Sequence, residues 1–561
     1  MFLPATKVEL KKLGWKELDV ILVTGDGYID SPFVGVAVIG KVLLDAGFKV
    51  GVIAQPDIES ARDITRLGEP RLFWGVTAGC IDSLVANRTA TNRKRKRCDY
   101  TPGGVNDRRP DRAAIIYANL IKKNFKNTAP IVLGGIEASL RRIAHYDFWT
   151  DKVRRSILFD AKADYILYGM AEKSVVELAE ALKSGADPKK IRGLCYASTE
   201  TPPGALVLPS YKEAASNKVA FTKMFKTFYD NNDPITAKTL AQKHDTRYLI
   251  ENPPQLNPST KELDRIYSLK YERALHPHCA HLGPARALET IRFSISTHRG
   301  CYAECSFCAI AIHEGRSVSS RSKSSIVAEA KLLAGHPDFK GTIHDVGGPT
   351  ANMYGTSCEK MTKSGGCKEK KCLMPEPCKT LDLDHASQRA LLKELRAVKG
   401  IKKVVVASGL RYDMVMADKK NGMGYLEDLV RHHVSGQMKL APEHSEIKVL
   451  KMMNKPGADS LLKFRDLFFK YTKKAGLKQY LTYYLIAAHP GSTEKDMAAL
   501  RKFAKTKLGL LPEQVQVFTP TPSTYSTLAY YTERDPATDE PCFVEKSEKG
   551  RVRQKDIIIK R

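Results

Sequence analysis

Three closely spaced cysteines are the residues of this chain best suited to chemistry. In the stretch HRGCYAECSFCAIAIHEGR, Cys301, Cys305 and Cys308 follow a Cys-x3-Cys-x2-Cys spacing. Zinc sites usually combine paired Cys-x2-4-Cys spacing with four ligands, whereas three thiolates can hold three irons of a [4Fe–4S] cube. The spacing therefore predicts a cluster whose fourth iron has no protein ligand. Gly300 lets the backbone turn tightly towards it.

Four further cysteines crowd into CEKMTKSGGCKEKKCLMPEPC, a segment rich in Lys, Gly and Pro. Their spacings of eight, four and five residues fit no common zinc finger. A loop with so little apolar content needs an external staple to stay ordered. We therefore predict an auxiliary Fe–S cluster or a structural zinc, with unligated thiols as the alternative. The members of this four-cysteine group are Cys358, Cys367, Cys372 and Cys378.

Length and composition indicate a large globular protein. At 561 residues, the chain is too long for one ordinary core, so we expect two or three domains. Its first twenty residues lack the apolar centre of a signal peptide, and no apolar run approaches the roughly 18 residues that span a bilayer. We expect a cytoplasmic protein without a membrane partner. In that reducing compartment, twelve cysteines indicate ligation more than disulfides.

The charge of the chain is strongly positive. Ninety Lys and Arg against 62 Asp and Glu give a net charge of +28. Such a field favours anionic partners, such as RNA, a phosphorylated substrate or an acidic electron-transfer protein. A soluble basic enzyme without nucleic acid is equally compatible with it.

Alternating strand and helix patterns fill the first 200 residues, which predicts an α/β fold with a doubly wound parallel sheet. Glycine-bearing turns follow several of its strands, at the edge where such sheets bind ligands. The expected strands are DVILVTG, KVGVIAQ, RLFWGVTAG, PIVLGG and ADYILYG. The expected helices are SPFVGVAVIGKVLLDAG, DRAAIIYANLIKKNF and EKSVVELAEALKSG.

A second alternating series begins near residue 286 and suits an open (β/α)6 partial barrel. The cysteine loop follows its first strand, where reactive residues of such a barrel belong. The expected strands are IRFSIST, TIHDVGG, KKVVVASG, QMKLAP, YLTYYLIAAHP and QVQVFTP. The expected domains are 1–210 for the first sheet, 211–285 for a wrapped connection, 286–525 for the barrel with a Cys-rich insertion at 350–380, and 526–561 for a C-terminal tail.

Several motifs together resemble the radical S-adenosylmethionine (SAM) superfamily and, within it, the YgiQ-type family. They are HRGCYAECSFCAIAIHEGR, RSKSSIVAEA, HDVGGPTANMYG and TANRKRKRCDYTPGGVNDRRPDRA, and the resemblance covers nearly the whole chain. It implies that SAM chelates the open iron and that the reduced cluster cleaves its sulfonium. A 5'-deoxyadenosyl radical then abstracts hydrogen from a substrate, which the resemblance does not name.

The resemblance also implies residues that bind SAM. Gly347 and Gly348 match the superfamily's Gly-Gly-Glu turn, but Pro349 replaces the acidic residue. Asp345 or backbone carbonyls would then receive the SAM ammonium. For each position outside the cysteine loop, an ordinary turn or helix cap is the alternative. The remaining cofactor-binding predictions are Phe307 before the last cluster ligand, Ser408 and Arg411 for the ribose and carboxylate, and Glu443 as a polar contact.

The N-terminal region resembles the cobalamin-binding domain of many radical SAM proteins. Asp30 and Gly35 match its Asp-x-His-x-x-Gly loop, but Pro32 stands where histidine would bind cobalt. Proline has no atom that could serve as that ligand, so we expect no histidine-ligated cobalamin and favour a domain without cobalamin. Cobalamin bound without this ligand stays open, as does a scaffold domain without a cofactor.

The resulting functional prediction is a radical SAM enzyme of unassigned reaction, reduced by a flavodoxin- or ferredoxin-type donor. A tRNA methylthiotransferase-like enzyme is one alternative. It is disfavoured because no C-terminal RNA-binding module is recognisable in the sequence. A non-enzymatic Fe–S or RNA-binding protein is the other alternative, and RNA binding without SAM binding would favour it.

Overall fold

The computed structural model describes residues 1–512 and 515–559 and divides into two compact units. The first unit comprises Met1–Leu256 and Arg265–Arg292, and the second comprises Asn257–Asp264 and Phe293–Arg561. Among the described residues, no helix is both long and apolar enough to cross a membrane.

The first unit is built on a nine-stranded sheet. Its strands are continuous apolar runs, such as VILVT in β1, because helices cover both faces. The strands of this unit are β1 Val20–Thr24, β2 Ile29–Asp30, β3 Val50–Ala54, β4 Phe73–Thr77, β5 Ile131–Gly134, β6 His145–Asp147, β7 Lys152–Arg154, β8 Tyr165–Leu167, β9 Leu194–Ser198, β10 Leu206–Leu208, β11 Leu240–His244, β12 Arg247–Glu251 and β13 Ala274–Leu275.

The three helices predicted in the first unit, α2, α4 and α7 of the list below, begin and end close to the predicted positions. A helix that crosses the unit boundary, α10, is given with them. They are α1 Lys7–Lys12, α2 Gly35–Asp45, α3 Ser83–Asn87, α4 Ala113–Asn124, α5 Gly135–Leu140, α6 Ile157–Asp160, α7 Glu172–Ser184, α8 Tyr211–Ser216, α9 Lys218–Asp230, α10 Thr260–Ser268, α11 Pro277–Ala280 and α12 Leu288–Ile291, with a 3-10 turn at Pro188–Lys190.

Five parallel strands form the doubly wound part of this sheet, in the order β3-β1-β4-β5-β8. Counted along the chain, this order is 2-1-3-4-5, the arrangement of flavodoxin-like sheets. Beyond β8 the sheet continues through β9, β12, β11 and β10, with antiparallel pairs as far as β11. The predicted doubly wound α/β domain is confirmed.

The boundary of the first unit differs from the expected one at residue 210. Strands β11 and β12, which lie in the region expected to be a wrapped connection, complete the nine-stranded sheet. They pair antiparallel with each other, and β12 pairs antiparallel with β9. The sequence interpretation placed the boundary before this hairpin, because the Pro clusters that follow the hairpin indicate a connecting segment.

The second unit contains six successive parallel strand positions, so the predicted open (β/α)6 barrel is confirmed. Strand β14 pairs with β18, β17 with β19, β20 with β21 and β21 with β22, all in parallel register. A parallel bridge between Leu410 and Leu440 links the third and fourth positions. The strands are β14 Ser294–Ser296, β15 His298–Arg299, β16 Ser319–Ser320, β17 Thr342–Ile343, β18 Asp345–Gly347, β19 Lys403–Val404, β20 Gln437–Glu443, β21 Tyr480–Ala487 and β22 Gln516–Val517.

Helices between these strands supply the outer layer, and their apolar faces form one core with the strands. The first residue of the expected last strand, Gln514, lies outside the described residues. The helices are α13 Ile310–His313, α14 Lys323–Ala334, α15 Glu359–Ser364, α16 Ala386–Arg396, α17 Tyr412–Ala417, α18 Gly422–Asp428, α19 Ile447–Met453, α20 Ala458–Lys474, α21 Glu494–Phe503, α22 Tyr525–Thr532 and α23 Glu548–Ile559, with π-helical turns at Leu429–His433 and Ala504–Leu508.

The region expected to be a C-terminal tail carries helix α23, which packs into the second unit. Ile558 is fully buried in a core with Leu485, Ala487 and Leu500. Gln554, also fully buried, accepts a hydrogen bond from the Ala488 N–H and donates one to the Ser492 carbonyl. The described part of this region is therefore an integral part of the barrel unit; residues 560 and 561 lie outside the description.

Candidate active site

The three-cysteine loop is held inside a hairpin at the carboxyl end of the first barrel strand. Strand β15 pairs with β16, so the chain leaves and returns at the same place. Gly300 has a φ of +81°, and a Cβ there would lie 1.8 Å from the Ser317 carbonyl oxygen. Its N–H donates to Glu314 at 3.0 Å, and the Cys301 N–H donates to the Gly315 carbonyl at 3.3 Å.

Two other elements fix the loop from outside. The Asn454 side-chain amide, just after α19, donates to the carbonyls of Ala303 and Glu304 at 3.0 and 2.9 Å. The Ser306 N–H donates to the Met453 carbonyl at 3.0 Å, and the Ser306 carbonyl accepts from the Ser526 N–H at 2.9 Å. Loop geometry therefore depends on residues about 150 and 220 positions away.

The thiols of this loop have the chemistry that an iron–sulfur cluster requires. Cys301 is buried, Cys305 and Cys308 are half-buried, and Cys301 Sγ lies 3.4 Å from Thr350 Oγ1. Burial raises the pKa of the Cys301 and Cys308 thiols, so their thiolate forms require a bound cation. Among the described residues, no three His, Cys, Asp or Glu side chains converge on one metal ion. The ligands of a cluster each bind a different iron and need not converge.

Arg411, for which a SAM contact is predicted, lies beside Cys305 of the three-cysteine loop. Its guanidinium donates to Asp413 at 2.8 and 2.5 Å, and its Nη1 is 3.8 Å from Cys305 Sγ. Burial acts to lower the pKa of Arg411, but Asp413 raises it above its usual range, so the side chain stays a cation. The positive charge faces the sulfur of Cys305.

A buried hydrogen-bond chain, which sequence reasoning missed, holds Arg411 in place. Asn352 accepts from the Arg411 N–H at 2.9 Å and donates to its carbonyl at 3.0 Å. The same Asn352 amide donates to His385 Nε2 at 3.1 Å, and His385 Nδ1 donates to Asp418 at 2.8 Å. Burial lowers the pKa of His385, which keeps the ring neutral with its proton on Nδ1.

The Gly-Gly turn after β18 serves close packing. The Gly347 carbonyl accepts from the Thr297 N–H and hydroxyl at 2.7 and 3.1 Å. A Cβ at Gly348 would lie 2.6 Å from His298 Nε2, so only glycine fits above that ring. The turn and the base of the cysteine loop are thereby joined.

Asp345 and Ser408 are bonded to each other. The Asp345 carboxylate accepts from the N–H groups of Ala407 and Ser408 at 2.7 and 3.1 Å, and from the Ser408 hydroxyl. SAM binding by these side chains stays a prediction. In this structure they connect the second and third strand ends.

Phe307 and Glu443, the remaining predicted cofactor contacts, each have a neighbour within the second unit. The Phe307 ring packs edge-on against His489, with centroids 6.3 Å apart. Glu443 ends β20 with a left-handed φ of +66° and faces Lys455 at 3.5 Å. Such backbone strain is frequent where function fixes a side chain. Thr493, by contrast, caps α21 through Asp496, an ordinary role for this residue type.

In the first unit, the edge where flavodoxin-like sheets bind ligands is filled by an ion pair. The Asp26 carboxylate, between β1 and β4, accepts from the Cys80 N–H at 2.6 Å and from Arg109 at 2.5 Å. Both charged side chains are only 1% exposed. Asp30 pairs with Lys41 at 2.9 Å, and Pro32 beside it offers no ligand for cobalt. These residues do not fit a histidine-ligated cobalamin.

The four-cysteine group lies in the segment between β18 and α16, in the second unit. Cys358 is buried and the other three are half-buried. Three of the four thiols pack in a small apolar core together with Cys301 and Cys305 of the cluster loop.

Comparison with known proteins identifies the relatives of this chain. A family described as Radical SAM N-terminal matches residues 2–294. A UPF0313 protein of Fusobacterium nucleatum is 54% identical over 100% of this chain and 99% of its own length. A UPF0313 protein of Thermotoga petrophila is 49% identical over 100% of this chain and 98% of its own length.

A solved structure shares the fold across most of the chain. The radical SAM methyltransferase TsrM from Kitasatospora setae, with cobalamin and a [4Fe–4S] cluster bound, aligns with a TM-score of 0.52 at 16% identity. The alignment covers 89% of this chain and 71% of TsrM. Because that protein binds cobalamin, the comparison does not support the expectation that this fold goes without it.

Proposed function

The chain belongs to the UPF0313 family of radical SAM enzymes, and on that premise we propose that Cys301, Cys305 and Cys308 hold one [4Fe–4S] cluster with an open iron for SAM. The observation that carries this proposal is the glycine-hinged hairpin, which holds three thiols at the end of the first barrel strand. When bound and reduced, such a cluster supplies the electron that cleaves SAM and yields a 5'-deoxyadenosyl radical.

The protein's own residues position this chemistry. Gly300, Asn454 and Ser526 fix the loop, so the three sulfurs are held before any cofactor arrives. The Arg411 guanidinium neutralises negative charge that collects at Cys305. Phe307 and the Gly347–Gly348 turn form apolar and backbone surfaces beside the open side of the loop, where we propose that SAM is oriented.

Reductive cleavage of SAM tests this proposal. Anaerobically reconstituted protein, reduced with dithionite, should form 5'-deoxyadenosine from SAM, detected by chromatography. Cys305→Ala should form none, whereas Cys542→Ala, which changes a cysteine far along the chain, should retain the activity. Equal product from wild type and Cys305→Ala would reject the cluster assignment.

The reducing partner is proposed to be a flavodoxin- or ferredoxin-type protein. Such donors are acidic, and the net charge of +28 favours their approach. The same charge favours RNA or another anionic substrate, and the run RKRKR at 93–97 is exposed in the first unit. Replacing dithionite by reduced flavodoxin should sustain SAM cleavage, with a rate that falls as salt rises.

Methyl transfer with cobalamin is a second candidate, favoured by the whole-chain likeness to TsrM. The residues at position 32 and at the β1–β4 edge do not fit a histidine-ligated form, so no step is assigned to the group. Titration with hydroxocobalamin decides: a bound cobalamin spectrum with one equivalent retained after gel filtration supports this candidate. A spectrum identical to free hydroxocobalamin removes it.

A further inference from the structure

We propose that the four-cysteine group, Cys358, Cys367, Cys372 and Cys378, is the ligand set of a second metal centre with four thiolate ligands. The centre would lie against the three-cysteine loop. It does not depend on the SAM reaction proposed above, because the two sets of cysteines are separate.

Three of these cysteines, Cys358, Cys372 and Cys378, pack in one small apolar core, although 19 residues separate the first cysteine of the group from the last. The sulfurs of Cys358 and Cys378 contact the same hydroxyl, Thr380 Oγ1, at 3.9 and 3.2 Å. The Cys378 N–H donates to the Cys372 carbonyl at 2.8 Å. Cys367 is half-buried in the same segment, and we propose it as the fourth ligand.

The segment has little else to hold it together. Its own buried apolar side chains are few, chiefly Met361, Leu373 and Leu381, and they share their core with the cysteines. Such a small apolar contact area does not order a loop of this length, whereas a metal bound by four thiolates contributes folding free energy directly. Three of the four thiols line this small apolar core, so a metal bound to them would stabilise the core directly.

The charge of the segment matches a tetrathiolate centre. A zinc ion or a [4Fe–4S] cluster with four thiolates carries excess negative charge, which nearby cations would offset. Lysines crowd the sequence between and beside the cysteines. They are Lys360, Lys363, Lys368, Lys370, Lys371 and Lys379.

Contacts join this group directly to the three-cysteine loop. Lys371, next to Cys372, forms an ion pair with Glu304 at 2.9 Å, and Glu304 precedes the cluster ligand Cys305. Glu304 is 2% exposed, has a left-handed φ of +44° and also pairs with Arg316 at 3.4 Å. The Tyr302 hydroxyl lies against the backbone of Cys358. Ordering of the second centre would therefore also brace the first loop.

Metal and sulfide quantification on anaerobically purified full-length chains tests the proposal. Four proteins are compared: wild type, a Cys301→Ala, Cys305→Ala, Cys308→Ala triple variant, a Cys358→Ala, Cys367→Ala, Cys372→Ala, Cys378→Ala quadruple variant, and the control Cys542→Ala. The triple variant should retain the metal of one centre per chain. The metal content of wild type should exceed that of the quadruple variant by the same amount. Zinc without sulfide identifies a zinc site, and iron with matching sulfide identifies a cluster.

Two results would overturn the proposal. One is equal metal content in wild type and the quadruple variant; the other is a soluble triple variant without stoichiometric iron or zinc. The triple variant keeps the test decisive if the quadruple variant does not fold. Failure of the SAM-cluster assignment has a different signature, because the triple variant would then lose no iron relative to wild type.

Discussion

Gly300 is the single residue on which the shape of the three-cysteine loop depends most. Its φ is positive, and the Ser317 carbonyl occupies the space that a side chain would need. The role of this glycine follows from sequence, because a residue beside a tight ligand loop often has to be glycine. The carbonyl that enforces it could be located only in the folded hairpin.

Gly300→Ala should therefore prevent cluster incorporation. The 1.8 Å approach forces the β15–β16 hairpin apart, which displaces Cys301 from its neighbours. In the Cys358→Ala, Cys367→Ala, Cys372→Ala, Cys378→Ala background, where the three-cysteine loop alone would hold iron, we expect the affinity for the cluster to fall at least about tenfold, as for loss of a positioned ligand or its support. Gly35→Ala is the control, since a Cβ there meets nothing within 4 Å. Full iron loading of Gly300→Ala would contradict this account of the loop.

Arg411 shows what residue types alone leave out. The sequence predicts a SAM contact, which stays a prediction, and the structure adds that the guanidinium lies 3.8 Å from Cys305 Sγ. The residues that hold it, Asn352 and His385, are 59 and 26 positions away along the chain. No spacing rule connects them, because only the folded barrel unit brings these three residues together.

Arg411→Gln should make the cluster harder to reduce. Loss of the cation beside Cys305 disfavours the more negative reduced form, so the midpoint potential should fall by on the order of tens of millivolts. Arg411→Lys keeps the charge and should shift it less. The exposed Arg431→Gln is the control. If the midpoint potential of fully iron-loaded Arg411→Gln equals that of wild type, the charge of this arginine does not act on the cluster and its role is structural.

At the scale of elements, the long strands and helices could be predicted and the short ones could not. Strand β1 is a continuous apolar run of five residues, and helix α7 carries an amphipathic pattern over thirteen residues. Strands β15 and β16 have two residues each, too few for any pattern, although they position the cluster loop. Helix α23 was missed because its sequence, EKGRVRQKDIII, has no amphipathic period.

Gln554→Leu should destabilise the barrel unit through the turn after β21. The substitution leaves the Ala488 N–H and the Ser492 carbonyl buried without their partner, at a cost of about 1–3 kcal/mol. Thermal unfolding should show a lower Tm. Arg553→Ala, which removes only an exposed pair with Glu494, should change the Tm little. Equal Tm values for both variants would argue against an integral role of α23.

For the whole molecule, the two-part architecture was predictable and its boundaries were not. Alternating patterns in each half imply parallel sheets, but β11 and β12 join the first sheet across a Pro-rich region that reads as a connection. Tertiary pairing decides such boundaries, because an edge hairpin is stabilised by the sheet it joins more than by its own sequence.

Acid should destabilise the barrel unit through its buried histidines. Burial lowers the pKa of His489 to about 3 and those of His298 and His444 to about 4. Unfolded histidine titrates near 6.5. Stability is therefore full above about pH 6.5 and falls as the pH drops towards 4, because the unfolded chain binds more protons there.

Tm values measured between pH 7.5 and 5.0 check this prediction. The triple Cys301→Ala, Cys305→Ala, Cys308→Ala background avoids acid loss of the cluster. Adding His489→Gln should reduce the fall in Tm, since one of the buried histidines that titrate on unfolding is gone. The same fall with and without this change would show that His489 does not take part.

The open iron of the cluster is the central claim, and hyperfine spectroscopy tests it most directly. Reduced protein is mixed with SAM carrying nitrogen-15 in its amino group, and the nitrogen coupling to the cluster electron spin is measured by electron–nuclear double resonance. We predict a resolved coupling in wild type, because three thiolates leave one iron free to bind that nitrogen. SAM that binds the reduced cluster-loaded protein without any coupling would contradict the account.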